Sequence, residues 1–144
     1  GFTTNKQALV SQIERITAES STPIADAITE GAAYMRSTVG SGAIVLLTDG
    51  EETCGGDPEE AAAQARAQGV DVINIVGFQL DQAAQQQMTR VAAAGGGRYY
   101  DAADAAQLQT ALRQAYQEAG GGGPACCGVG AALLAVLGFV FTRN

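Results

Sequence analysis

The chain has 144 residues, 47% hydrophobic and 16% charged, a balance that suits one globular domain rather than a disordered segment. Seven basic and fifteen acidic residues precede residue 125, and Arg143 is the one charge after it, which excludes nucleic acid as a partner and favours cations. There is no histidine, so Ser-His-Asp and Cys-His catalysis and His-based zinc sites are excluded, and Cys54, Cys126 and Cys127 show no CxxC spacing.

The chain begins Gly1-Phe2-Thr3-Thr4, with neither Met nor a basic-then-apolar leader, and reads as a start inside a longer protein. From Asn5 to Ile16, Leu9, Ile13 and Ile16 recur at helical spacing. A second helix is expected from Thr22-Pro23, a cap followed by proline, with Ile24, Ile28 and Met35 on one face and Gly40-Ser41-Gly42 as its stop. Ala43-Ile-Val-Leu-Leu-Thr48 is a continuous apolar run, the pattern of a parallel strand covered on both faces.

The loop Asp49 to Asp57 ends in a helix start, with Asp57 as cap, Pro58 in the first turn and Glu60 placed to reach back. An alanine-rich helix over 61–68 follows, then a strand over Val70–Val76, a helix over Asp81–Ala94 and the stop Gly95-Gly-Gly97. A short strand Arg98-Tyr-Tyr100 and a helix from about Asp104 to Glu118, with Leu108, Leu112 and Ala115 on one face, complete the unit. This alternation predicts an α/β, Rossmann-like parallel sheet with helices on both faces. With three strands countable, the 43–48 strand is left near an edge, an aggregation hazard unless something covers it.

Residues 119–124 read as a glycine-rich linker, and 125–141 as seventeen uncharged, mostly apolar residues, a transmembrane helix at the short limit, with 142–144 as a tail. A helix docked on the exposed sheet edge, with Gly128, Gly130 and Gly138 allowing close approach, is the other reading. Arg143 after the span places the domain outside, on the outer or periplasmic side.

Ligands of open parallel sheets bind beyond the C-terminal strand ends, where Asp49 lies. With Glu51, Glu52 and Asp57 in the same loop it offers oxygen donors for a hard divalent cation, Mg2+, Mn2+ or Ca2+. Taken singly, Glu51 and Glu52 are also ordinary loop charges, Asp57 a helix cap, Asp49 a turn aspartate and Thr22 an N-cap.

The pairing of Ser21-Thr22-Pro23-Ile24 before a helix with Ile44-Val-Leu-Leu-Thr-Asp49-Gly50 resembles the von Willebrand factor A (vWA) family. The Thr48 to Asp57 loop, with Ile75-Val-Gly-Phe78 and Gly96-Gly-Arg-Tyr-Tyr-Asp101, is most similar to bacterial members of its calcium-activated chloride channel-like subgroup, over residues 1–118. The resemblance implies a metal-ion-dependent adhesion site with Thr22 and Asp49 as ligands, and Ser21, Gly50, Glu51 and Glu52 in the partner-binding loop. A carboxylate from a protein partner would complete the coordination. The family's Asp-x-Ser-x-Ser motif occurs nowhere in this chain, and its first strand, expected beside the 43–48 strand, is missing, so the metal site is expected to be incomplete and weak.

The functional expectation is a metal-dependent protein-binding module tethered to a membrane. A metal-independent scaffold subunit of a membrane or ATPase complex is the alternative. A Mg-dependent hydrolase is disfavoured, since Lys6 is the sole lysine and no GxSxG occurs. A dinucleotide site is disfavoured because Gly95-Gly-Gly97 follows a helix and precedes a strand.

Overall fold

A computed structural model describes residues 21–38, 40–121 and 132–137, together with Gln7, Val10, Ser11, Glu14 and Arg15. Of the first expected helix, Gln7, Val10 and Ser11 are helical, the Glu14 N–H donates to the Val10 carbonyl at 3.0 Å, and Glu14 and Arg15 lie in a turn; the rest of 5–16 lies outside the described residues.

The elements run α1 (Ile24–Thr38), β1 (Gly42–Thr48), α2 (Pro58–Ala67), β2 (Val70–Phe78), α3 (Gln82–Ala94), β3 (Gly96–Ala102), α4 (Ala105–Tyr116), a π-helical turn (Gln117–Gly121) and β4 (Ala132–Leu137). Three helices begin where short acidic side chains satisfy first-turn N–H groups that would otherwise lack partners. Asp57 accepts from Glu60 N (3.0 Å), Asp81 from Ala84 N (2.8 Å), and Asp104 from Ala106 N and Gln107 N (2.9 and 2.8 Å). The Glu60 side chain pairs with Gln64 (2.9 Å) instead of reaching back, so the box at α2 is half made.

The sheet is parallel, in the order β3-β2-β1-β4. All seven residues of β1 are buried, because both faces are covered. Ile44 and Leu46 pack with Ile73 and Ile75 under α1, α2 and α3, whereas Val45 and Leu47 pack with Val76 and Ala102 under α4. From β1 to β3 the chain moves one way along the sheet with its helices on the first face. From β3 to β4 it returns in the opposite direction with α4 on the second face. Reversing direction and changing face together preserve the hand of the crossover, as parallel connections require. The expected inward residues of α4 are reproduced, with Ala111 and Ala115 buried and Leu108 and Leu112 packed against that cluster.

One part of the expected architecture is corrected. Six of the seventeen residues expected in a C-terminal apolar helix, Ala132–Leu137, form β4, paired with β1 from Gly42↔Ala132 to Leu47↔Leu137. The physical reason lies in β1, whose apolar edge needs a neighbour and whose backbone groups need hydrogen-bond partners. Among the described residues no helix is long and apolar enough to cross a membrane. Residues 125–131 and 138–141 lie outside the described residues.

Candidate functional site

The connections part at β1. The chain leaves it for β2 on one side, and β4 flanks it on the other, so the crevice beyond the C-terminal ends of β1 and β4 is the switch point where open α/β sheets bind ligands. Thr48, Asp49 and Gly50 stand at that end of β1.

Thr22 is brought to the same place from a separate loop. It is 5% exposed, and its hydroxyl oxygen lies 3.4 Å from where a β-carbon on Gly50 would stand. A small cavity of ≈ 40 Å³ between α1 and β1 is lined by Thr22, Pro23, Ile24, Ala27, Leu46, Leu47 and Thr48, room for about one water.

The local folding of these loops frees the Thr22 side chain from the capping role its position suggests. The first bond of α1 runs from Ala27 N to the Pro23 carbonyl (2.9 Å), so the helix is entered one residue later than a Thr22 cap would require. Glu52 supplies the missing cap from across the site. One of its carboxylate oxygens accepts from Ala25 N (2.8 Å) and the other from Cys54 N (2.7 Å), with its charge at the positive end of α1. Thr53 adds a two-bond bridge between the loops, its hydroxyl accepting from Thr22 N (2.7 Å) and its own N–H donating to the Thr22 carbonyl (3.2 Å). Among the described residues, the Thr22 hydroxyl has no hydrogen-bond partner.

Asp49 is partly buried, and desolvation raises its pKa above the ordinary carboxylate value, while a hydrogen bond from its own backbone partly offsets this. The Thr48 hydroxyl tightens the turn, donating to the Gly50 carbonyl (2.9 Å) and accepting from Gly50 N (3.3 Å). Ser21 and Glu51 are exposed beside the site, and Asp57 is occupied as the cap of α2.

The structure therefore sorts the residues singled out in the sequence. Thr22, Asp49 and Gly50 come together, with Ser21 and Glu51 at the rim. Glu52 is not an open loop charge, since both its oxygens hold backbone. Thr53 and Thr48 carry no sequence signal beyond being hydroxyl residues near Asp49; Thr48 acts locally on Gly50, whereas the role of Thr53 rests on long-range pairing with Thr22.

The donor set fits a hard cation in part. Thr22 offers a hydroxyl oxygen that makes no hydrogen bond to another described residue, and Asp49 a carboxylate whose ionised form is disfavoured by desolvation, two features a bound cation would suit. Among the described residues there is no group of three or more His, Cys, Asp or Glu side chains able to hold a metal ion.

The burial of Asp49 gives a signed prediction. Its native pKa is raised, so the native state holds the proton more tightly than the unfolded chain. The resulting cost to stability is absent below the unfolded pKa, grows as pH rises through the native value and is complete above it. Asp49→Asn should accordingly raise the cation-free melting temperature at pH 7 and leave it unchanged near pH 3, as thermal unfolding at the two pH values would show.

The family model for the von Willebrand factor type A domain matches residues 1–114. Two uncharacterised proteins of Bacillus subtilis strain 168 are similar: YwmD, 38% identical over 80 residues (55% of this chain, 36% of YwmD), and YwmC, 34% identical over 89 residues (60% of this chain, 39% of YwmC). The matched region thus spans well under half the length of either relative. A crystal structure of an uncharacterised protein from Alicyclobacillus acidocaldarius is 26% identical with a TM-score of 0.42, covering 65% of this chain and 40% of that one, a likeness too low to equate the folds. The family match spans most of the chain, including both Thr22 and the Asp49 loop, and the chain belongs to the von Willebrand factor type A domain family.

Proposed function

We propose that this domain is a cation-dependent protein-interaction module whose contact surface is the crevice beyond β1, with Thr22 and Asp49 as the residues that hold the cation. The observation that carries this is Thr22, a residue packed at the switch point with its hydroxyl beside Gly50, relieved of capping by Glu52 and making no side-chain hydrogen bond to another described residue. Asp49 supplies negative charge from a site that disfavours bare ionisation, and Thr22 supplies a neutral oxygen from the facing loop. A bound Mg2+, Mn2+ or Ca2+ would supply the positive charge that receives a carboxylate from a partner protein. Ser21, Gly50 and Glu51 form the rim that such a partner would meet. The finer likeness, to the bacterial calcium-activated chloride channel-like subgroup, rests on the Thr48 to Asp57 loop and belongs to this proposal.

Two protein ligands leave a cation largely hydrated, so affinity in this chain should be weak, on the order of millimolar. The reading is non-enzymatic, because no nucleophile and base pair is needed for it.

The second reading is a scaffold subunit that binds its partner without metal, favoured by the lack of an acidic cluster among the described residues. Capture of partners by the complete protein, with and without EDTA, separates the two. The proposal expects capture to fall at least tenfold in EDTA and in Asp49→Ala, with native-like unfolding of the mutant. Capture unchanged by EDTA would sink the cation-dependent reading and leave the scaffold one.

A further inference from the structure

The Ala25 N–H is a contested donor. In a helix capped by Thr22, the capping hydroxyl accepts from the N–H two or three residues on, that of Ile24 or Ala25. Ile24 N already donates to the Thr22 carbonyl (3.0 Å), which leaves Ala25 N as the donor this hydroxyl would take. Glu52 holds it instead, at 2.8 Å, while its second oxygen holds Cys54 N at 2.7 Å. A carboxylate outcompetes a hydroxyl there, because a charge-assisted bond is roughly twice as strong as a neutral one and the charge lies at the positive end of α1. The loop that carries Glu52 runs close against the helix. A β-carbon on Gly56 would stand 2.5 Å from Ala25 Cβ and 3.8 Å from Glu52 Cδ. Thr53 meanwhile holds the Thr22 backbone by its N–H (2.7 Å) and its carbonyl (3.2 Å), so the side chain alone is left to choose a partner.

We propose that Glu52 is a positioning residue for the crevice: by holding Ala25 N–H it keeps the Thr22 hydroxyl from capping α1 and leaves that oxygen to the cation, a role that rests on the cation-dependent reading above. Glu52 is not itself a ligand, since both its oxygens hold backbone N–H groups. The length of its side chain therefore matters more than its charge. One methylene fewer shortens the span between α1 and Cys54, whereas an amide of the same length keeps an acceptor oxygen for Ala25 N.

Two measurements on the full chain test this. In EDTA, urea unfolding follows a double-mutant cycle of Thr22→Val and Glu52→Ala, with Glu52→Asp as the second background if Glu52→Ala does not fold. In the parent, where the hydroxyl has no hydrogen bond to another described residue to lose, Thr22→Val is expected to leave the folding equilibrium unchanged or raise it. In the Glu52 variant, where the hydroxyl has become the cap, the same change is expected to lower that equilibrium about fivefold. Equal effects in the two backgrounds, or a fivefold loss already in the parent, overturn the inference. Mn2+ binding read by electron paramagnetic resonance is then compared in the single variants. Glu52→Asp is expected to weaken it about tenfold, as the loss of a group that orients a ligand does, and Glu52→Gln to weaken it less. A loss in Glu52→Gln as large as that in Glu52→Asp would mean that Glu52 acts through its charge, and it overturns the positioning role. If the parent shows no Asp49-dependent Mn2+ site, the cation-dependent reading fails on its own, and the cycle in EDTA still decides whether Glu52 withholds Ala25 N from Thr22.

Discussion

Replacing Gly97 by alanine is expected to destabilise the domain by about 3 kcal/mol or more, seen as a large fall in the midpoint of urea unfolding with an unchanged slope. The cause is steric. A β-carbon at Gly97 would stand 2.6 Å from the Ile73 carbonyl carbon and 2.7 Å from Asn74 Oδ1. Ile73 is fully buried in β2, so its backbone cannot retreat, and the contact is with main chain rather than the far end of a flexible side chain. The pairing of β2 with β3 explains why the strands come so close. Ile73 is level with Gly96 and Ile75 with Tyr99, so β3 holds an extra residue there, a bulge that presses Gly97 against β2. An alanine variant as stable as the parent would show that the bulge is not formed as described.

Asn74→Leu should cost about 2–4 kcal/mol and lower the melting temperature by roughly 10 °C. Asn74 is 1% exposed, and its amide is used at both ends. Its Nδ2 donates to the Ala115 carbonyl in the last turn of α4 (2.8 Å), and its Oδ1 accepts from Arg98 N (2.9 Å). The first satisfies a carbonyl at a helix end. The second satisfies an N–H inside the bulge of β3. Leucine fits the volume but leaves both groups buried without partners, and that loss outweighs the gain of one apolar side chain. A rise in melting temperature for Asn74→Leu would mean that α4 does not dock through this contact.

These two positions also mark the limits of what the sequence could reveal. The order of strands and helices was legible because Asp57, Asp81 and Asp104 cap helices through local bonds and because β1 and β2 are long apolar runs bounded by turns. Asn74 lies inside such a run, and nothing local says that its amide will meet the end of a helix forty-one residues later. The bulge at Gly97 depends equally on register. Composition alone could not separate a strand from a helix over 125–141, since an apolar run without charges suits either. The need for a neighbour beside β1 was legible, and the form of that neighbour was not.

The candidate site was half legible. Thr22 and Asp49 stood out by position and resemblance, and the fold brings Thr22 against Gly50, the residue after Asp49. The sequence suggested Thr22 as a cap and Glu52 as a loop charge, and the structure exchanges these roles. Ala25 N takes its partner from Glu52, twenty-seven residues away, a bond set by the docking of two loops and not by helix spacing. Thr53 enters the site in the same way, through its bridge to Thr22.

The most direct test of the central claim is a Mn2+ titration of the domain followed by electron paramagnetic resonance, comparing the parent with Asp49→Asn. The account predicts one weak site in the parent, on the order of millimolar, and its loss in the mutant with the fold retained. Binding of equal strength in both proteins would contradict the assignment of Asp49 and, with it, the cation-dependent reading of this surface.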